Sequence, residues 1–526
     1  MMPQLWITAF LPIGLLFYLM VIRRSGAIMA SSTSLLLAAV SGYFIFEAPV
    51  FTIAVEAGKG LWSSLTVLYV VWTAILFYEL CDRLRLFAVV RGVIHSLSGN
   101  ELLNILFVAC GVTGFFQGIT GFGVPVVIGA PLLVSLGVQP LWAVIFCIIG
   151  HTWGATYGTL ALAWNTLVLQ SGLTSPALIA HTGLYTSLFL WGFIAISGLT
   201  LCWWYGRMRA VRVGLPAVLL ISTVQGGGEV LFSQISPDLA AFIPALAALA
   251  LIWLLGRSSR YRRSWRLEDS PVMRRSAIKE EKIVDSSPLL AAMPYLALTM
   301  LALLAILVEP ISLLLRAFCF SLSTPATATG LGFANPAVSA YAPIYPLAHA
   351  GAYLGFACLL TAVFFGYAGR LRLRDAAIVL SRTAHKAWPV SLGIICLLAT
   401  ANVLGGTGQI NVLAQGASAG LGSCYALLAP FVGMLGSFIT GSNVASNILF
   451  TEFQLRSADI LGFNTALILA GQTVGGAIGC TVSPGNILLG SAAIGIKGEE
   501  GKVFSHLLPI TLLCVFLAGL TLYILT

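Results

Sequence analysis

Runs of about 20 apolar residues recur along almost the whole of this 526-residue chain. Each run is long enough to cross the roughly 30 Å hydrocarbon core of a bilayer as an α-helix. The runs are continuous, whereas a transmembrane barrel is built from short strands that alternate apolar and polar residues. Charge is scarce: Asp, Glu, Lys and Arg make up 9% of the residues, against about 25% in soluble domains. With 59% hydrophobic residues and a mean hydropathy of +0.97, the expected fold is an all-α polytopic membrane protein.

Full spans are expected near 5–22, 26–46, 60–80, 140–165, 177–204, 215–235, 238–256, 288–309, 346–369, 388–404, 460–490 and 505–525. The first lacks the basic start and small-residue cleavage site of a signal peptide, so it is expected to be retained. Two glycine-rich apolar stretches, 101–136 and 405–451, are each long enough to enter the membrane and turn back.

Basic residues test this plan. They gather at Arg23 and Arg24; at Arg83, Arg85 and Arg91; at Arg207, Arg209 and Arg212; in the polar stretch 257–287; and at Arg370, Arg372, Arg374, Arg382 and Lys386. The polar stretch alone carries Arg257, Arg260, Arg262, Arg263, Arg266, Arg274, Arg275, Lys279 and Lys282. Loops such as 47–59 and 310–345 are nearly free of positive charge. All five clusters fall on one side only if both glycine-rich stretches make no net crossing. That side should be the cytoplasm. The plan is then about 12 transmembrane helices plus two re-entrant hairpins, with both termini outside the cytoplasm. It divides the chain into an N-terminal half (1–256), a basic cytoplasmic linker (257–287) and a C-terminal half (288–526). Segment 310–345 is expected to be an irregular outer loop, and 370–386 an interfacial helix.

This distribution explains the net charge of +9 without nucleic acid as a partner. The ten cysteines form no CxxC pair and no Cys/His cluster with metal spacing, so neither metal nor cofactor is expected. Small buried apolar residues are the expected role of these cysteines.

The second half repeats a pattern of the first. Residues 150–158 read GHTWGATYG and residues 471–479 read GQTVGGAIG, each with three glycines at spacing four. Thr152 matches Thr473, and His151 matches Gln472. Upstream, Ile119-Thr120-Gly121 matches Ile439-Thr440-Gly441, with 32 positions from Thr120 to Thr152 and 33 from Thr440 to Thr473. Counted from the charges, the first hairpin enters from the cytoplasm and the second from outside, so the halves form inverted repeats. Paired, glycine-interrupted hydrophobic segments in inverted halves point to a secondary transporter whose site lies where the broken segments meet.

The residue types fit such a site. A chain break at membrane depth frees backbone N–H and C=O groups, tolerated only against protein or a water-filled cavity. Glycine permits the turn, and helix N-termini favour an anion. The first tip supplies Gln117, Thr120, Gly121, Phe122 and Gly123; the second supplies Thr440, Gly441, Ser442, Asn443, Ser446 and Asn447. Thr152, Gln472 and Thr473 join them from the matched runs, with no lysine, arginine or carboxylate in either tip. A small monovalent organic anion held by dipoles and hydroxyls suits that chemistry. His151 is the candidate for carrying a proton, since histidine titrates near neutral pH and ionisable groups inside membranes mark substrate or proton paths.

Blander roles stand beside these. Glycines at spacing four also let helices pack closely, and His151 also fits a histidine bonded to a neighbouring helix. Glu229, Glu79, Glu309 and Asp459 are expected near span ends, while Glu452 follows the second hairpin and could approach the site. A passive anion channel is the alternative function. An enzyme is not expected, because no nucleophile–base motif or metal-ligand array occurs. The absence of a P-loop argues against ATP-driven transport. A homo-oligomer remains open.

Three stretches, QGITGFGVPVVIGAPLLVSLGVQPLWAV, PFVGMLGSFITGSNVASNILFTEFQ and AGQTVGGAIGCTVSPGNILLGSAAIGIKGEEGKVF, resemble the L-lactate permease family of bacterial transporters. The likeness is strongest over 111–165 and 422–502. It implies uptake of 2-hydroxymonocarboxylates such as L-lactate and glycolate by proton symport across the inner membrane. Two positions depart from the family pattern. Gln117 stands where the family has Glu, which removes a titratable group, and His151 stands where it has an uncharged polar residue, typically Asn. Either the coupling proton has moved, or the carrier takes another carboxylate or a sulfonate.

Overall fold

A computed structural model of the chain describes residues 2–23, 25–86, 97–121, 123–274, 288–496 and 499–526. Phe122, Arg24, Arg91, Arg275, Lys279 and Lys282 lie outside the described residues. Helices α1 (Met2–Phe17), α2 (Ala27–Phe44) and α3 (Val50–Arg83) come first. Next come α4 (Glu101–Ile119), with a π-helical turn at Phe107–Val112, and α5 (Val124–Ser135). Helices α6 (Pro140–His151) and α7 (Gly158–Ser171) form a span bent by 48°. Helix α8 (Pro176–Ile235) kinks at Gly206 and Arg207, and α9 (Phe242–Arg257) closes the first half.

The second half opens with α10 (Pro288–Leu307) and the short α11 (Glu309–Leu315). Strands β1 (Phe320–Thr324) and β4 (Val338–Ile344) pair antiparallel around β2 (Thr327–Ala328) and β3 (Ala334–Asn335). Then follow α12 (Ala350–Tyr367), α13 (Leu373–Gly406), α14 (Gln409–Leu421), α15 (Tyr425–Thr440) and α16 (Asn443–Leu461). Helices α17 (Thr465–Gly479), α18 (Pro484–Ala493) and α19 (Glu500–Leu525) end the chain. Among the described residues, nine helices are long and apolar enough to cross a membrane, or eleven if each bent pair is one span. The chain is a multi-pass membrane protein.

Helices α3 and α13 have 34 residues each and pack antiparallel. At one end Arg83 pairs with Asp375, and the buried Glu79 pairs with Lys386. Towards the other end, Gly60 lies against the Ala399 backbone. Residues 258–274 lie against the first half, through bridges from Trp265 to Asn100, just before α4, and from Met273 to Val138, between α5 and α6. The β-strands cover the Gly60–Ala399 end of α3 and α13: Asn335 Nδ2 donates to the Gly406 carbonyl at 2.8 Å, and Trp62 Nε1 to the Ala342 carbonyl at 2.9 Å.

Three expectations need correction. The third span begins at Val50, ten residues before the expected start, because Lys59 Nζ pairs with Glu56 at 2.7 Å and so carries its charge inside the helix. Residues 370–386 and 388–404 are mostly one helix, Leu373–Gly406, which packs on α3: its Arg382 and Lys386 pair with Asp82 and Glu79, and its Asp375 pairs with Arg83. The loop 310–345 is not irregular: its Ser/Thr-rich arms pair as strands across the Pro- and Gly-containing turns. Glu229 does lie in the last turns of α8, where it is 0% exposed and both carboxylate oxygens lack a partner.

The glycine runs pack as well as break. A side chain at Gly150 would overlap the Ala109 carbonyl of α4, and one at Gly475 would overlap the Pro430 carbonyl of α15. Each run is therefore seated on the helix that precedes the tip in its own half. Gly475→Val is expected to destabilise the fold by about 1–3 kcal/mol through overpacking. Gly192→Val, where nothing lies within 4 Å, should leave the melting temperature in detergent unchanged. Equal melting of the two variants would refute this account of the glycines.

Candidate functional site

Helix α4 ends at Ile119, and α15 ends at Thr440. In both, the terminal threonine turns its hydroxyl back onto its own helix: Thr120 Oγ1 donates to the Phe116 carbonyl at 2.9 Å, and Thr440 Oγ1 to the Gly436 carbonyl at 2.8 Å. Gly121 and Gly441 follow with φ of +57° and +77°, the left-handed region that glycine enters without a Cβ penalty. The chain then reverses into α5 after Gly123 and into α16 after Ser442, whose hydroxyl caps the Ala445 amide.

Beside the tips, two spans are interrupted. The second interruption is a 3₁₀ turn at Cys480–Val482 followed by Pro484, the first residue of α18. Proline at a first helical position has no N–H to lose and ends the preceding helix. The first interruption has no proline. It passes through a 3₁₀ turn at Thr152–Ala155, then places Thr159, Leu160 and Ala161 at φ of 53°, 51° and 59°. Left-handed backbone costs L-residues about 1–2 kcal/mol each. Hydrogen bonds from the Ala161 amide to the Tyr157 carbonyl (2.8 Å) and from the Trp164 amide to the Thr156 carbonyl (3.0 Å) hold it.

Both tips and both interruptions line one cavity of about 60 Å³. By the same measure a water needs about 10–15 Å³, so the space suits a few waters or one small organic ion. Of the expected residues, Gln117, Gly123, His151, Gly441, Ser442 and Asn443 line it. Ala155 and Gly158 of the first glycine run line it too, as do Thr159, Cys480 and Asn486, which were not singled out in the sequence. Asn486 had a readable signal: it lies in the first turn of the helix that Pro484 begins. Its Nδ2 donates to the Cys480 carbonyl at 3.0 Å. Among the described residues, no Lys, Arg, Asp or Glu lines the cavity. Helices α5, α7, α16 and α18 begin at or beside it, and a helix N-terminus carries about half a positive charge and free N–H groups.

His151 is 4% exposed. Its Nδ1 lies 2.6 Å from the Cys147 carbonyl. That nitrogen must carry its hydrogen, which leaves Nε2 as the acceptor.

Behind the cavity wall a polar knot joins the halves. Asn443 Nδ2 donates to Thr156 Oγ1 (3.1 Å) and Thr473 Oγ1 (3.3 Å). Asn447 Nδ2 donates to Thr473 Oγ1 and to the Ala163 carbonyl, both at 3.0 Å. Thr152 Oγ1 accepts from Thr481 Oγ1 at 3.1 Å. The expected Thr152, Thr473 and Asn447 thus hold the two interrupted spans together. Gln472 is outside the cavity lining: its amide donates to Ser446 Oγ at 3.1 Å and accepts from Gln454 at 3.0 Å. Glu452 lies outside the cavity as well, further along α16.

Comparisons with known proteins cover nearly the whole chain. A family profile described as L-lactate permease matches residues 6–526. An L-lactate permease of Halalkalibacterium halodurans is 26% identical, covering 94% of this chain and 92% of its own. An L-lactate permease of Salmonella typhimurium is 27% identical (99% and 97%), and the glycolate permease GlcA of Escherichia coli K12 is 24% identical (98% and 94%). Among solved structures, the YdaH transporter of Alcanivorax borkumensis superposes with a TM-score of 0.45 at 14% identity, covering 88% of this chain and 86% of that one.

The polar knot generates a test. Thr473→Val removes an acceptor shared by two buried amides and should lower stability by about 1–3 kcal/mol. Thr473→Ser keeps the oxygen and should melt like the unaltered protein. Indistinguishable melting of Val and Ser variants would show that the hydroxyl does not hold the halves.

Proposed function

The chain belongs to the L-lactate permease family, and from that premise we propose that it is a secondary active transporter. It carries a small monocarboxylate such as L-lactate or glycolate across a bacterial inner membrane together with a proton. The single observation carrying this is the small central cavity: two helix tips and two interruptions converge on it, and no fixed charge lines it among the described residues. Several helix starts surround the space, so the carboxylate is held by first-turn N–H groups, by the Ser442 hydroxyl and by the Gln117 amide. An uncharged wall matters to a carrier, because an anion bound by dipoles alone is released again when the cavity opens.

His151 supplies the coupling. An unpaired carboxylate in a dry cavity is costly, and so is an unpaired imidazolium. Each lowers the cost of the other, so anion binding favours proton binding and the reverse holds equally. The pair is neutral and crosses without moving net charge.

We infer the architecture that goes with this: twelve spans, with 101–136 and 405–451 as hairpins that re-enter, and halves 1–256 and 288–526 inverted about the cavity. The antiparallel packing of the equal-length α3 and α13 supports the inversion. The Arg209–Asp269 pair sets the basic turn of α8 beside the basic residues 258–274, which supports a cytoplasmic face there, with both termini opposite. Alternating access then opens the cavity to one face at a time. A second reading, transport of another carboxylate or a sulfonate, is favoured by one observation: Gln117 and His151, the two departures from the family pattern, both line the cavity.

Counterflow in proteoliposomes over lactate, glycolate, longer hydroxy acids and sulfonates separates these readings. Uptake should rise with an inward proton gradient, and flux indifferent to both pH gradient and membrane potential would refute symport. His151→Asn is expected to cut proton-driven accumulation at least about 5-fold, the lower end of typical coupling between sites, and to flatten the pH profile. An unaltered profile would leave His151 a structural role only.

A further inference from the structure

A second, larger cavity of about 210 Å³ lies on the side of the molecule that carries the β-strands. Asn335 of β3 and Tyr341 of β4 line it, and the Tyr341 hydroxyl donates to Asn402 Oδ1 at 3.0 Å, tying the strands over the chamber. Unlike the central cavity, this chamber holds charge. Lys59 and Arg456 line it together with Glu56 and Glu452. Lys59 Nζ meets Glu56 Oε1 at 2.7 Å and lies 5.7 Å above the Tyr341 ring. Arg456 lies 3.6 Å from Glu452 Oε1. The four charges cancel.

The donors are not used up. An ammonium group has three N–H bonds and a guanidinium has five, and one carboxylate sits on each cation. A third donor also lines the chamber: Gln170 Nε2 is shielded from solvent and has no acceptor. A buried donor without an acceptor costs free energy until a ligand oxygen fills the place. Glu452 and Glu56 lie over Gly405 and Gly406, where any side chain would collide with them. The paired glycines thus keep room for both carboxylates beside the cations.

The chamber and the central cavity are joined by the same two helices. Gly158, Thr159 and Ala163 of α7 and Asn443 and Val444 of α16 face the centre. Leu169, Gln170 and Ser171 of α7 and Glu452 and Arg456 of α16 face the chamber. Glu452 lies nine positions along the helix from Asn443, a rise of about 13 Å.

We propose that this chamber is an antechamber that takes one monocarboxylate anion, its oxygens held by Lys59, Arg456 and Gln170 Nε2, before the anion passes along α7 and α16 to the centre. This rests on the carrier function proposed above. Neutrality of the empty chamber suits a waypoint. The cations are already compensated, so the anion is attracted without being trapped, as conduction through successive sites requires.

The test compares L-lactate transport from the two faces of the membrane, in right-side-out and inside-out vesicles. The double variant Glu452→Gln/Arg456→Gln and the single variant Gln170→Leu should each raise KM about tenfold from the chamber face, the weight of one charge-assisted or buried hydrogen bond. KM from the opposite face should stay within about twofold, and maximal rate should hold. Lys59→Gln alone would strand Glu56 and is replaced by the double variant Glu56→Gln/Lys59→Gln, which should show the same one-sided effect. KM unchanged on both faces, or raised equally on both, overturns the antechamber while leaving the carrier intact. Failure of the unaltered protein to move any 2-hydroxymonocarboxylate overturns the carrier reading, and the antechamber with it.

Discussion

In hydrocarbon, a backbone N–H or C=O without a partner costs several kcal/mol, so an interrupted helix survives only where protein or enclosed water meets its free groups. The structure is organised around that requirement. Two spans stop and restart inside the bundle, and two helix pairs reverse beside them, all facing one small space. The glycine runs are seated against α4 and α15 so closely that no side chain would fit at Gly150 or Gly475. The asparagine–threonine knot fixes one interruption to the other.

Much of this was legible from the sequence, for physical reasons. A hydrophobic solvent imposes long apolar runs, so the helical class and most spans follow from composition alone. The twin runs at 150–158 and 471–479 marked the interruptions because a chain break needs glycine and a polar partner at one place. Positions that depend on partners were not legible. Lys59 and Glu56 read as a loop between spans because each is costly in lipid alone; only their pairing lets α3 continue through them. Lys386 and Arg382 read as an interfacial face for the same reason, since Glu79 and Asp82 lie some 300 residues away. Asn486 was only half legible: Pro484 marks the helix start beside it, but nothing in the sequence sets that start against the cavity.

The repeat also misleads in one respect. Matched positions suggest matched roles, yet His151 and Gln472 do different things. Gln472 is locked between Ser446 and Gln454, a donor on one side and an acceptor on the other. His151 spends one nitrogen on its own helix and keeps the other. The two halves share a scaffold, and the chemistry is carried unequally by them.

The interruptions differ in the same spirit. Pro484 lacks the amide a continuous helix would need, so the second break is permanent. The first is written in Thr159, Leu160 and Ala161, residues that hold left-handed backbone at a cost and that an ordinary right-handed turn would accept. One half of the molecule therefore carries a fixed joint and the other a strained one that a helical turn could close. However closely the two halves resemble each other in sequence, they are unlike as hinges.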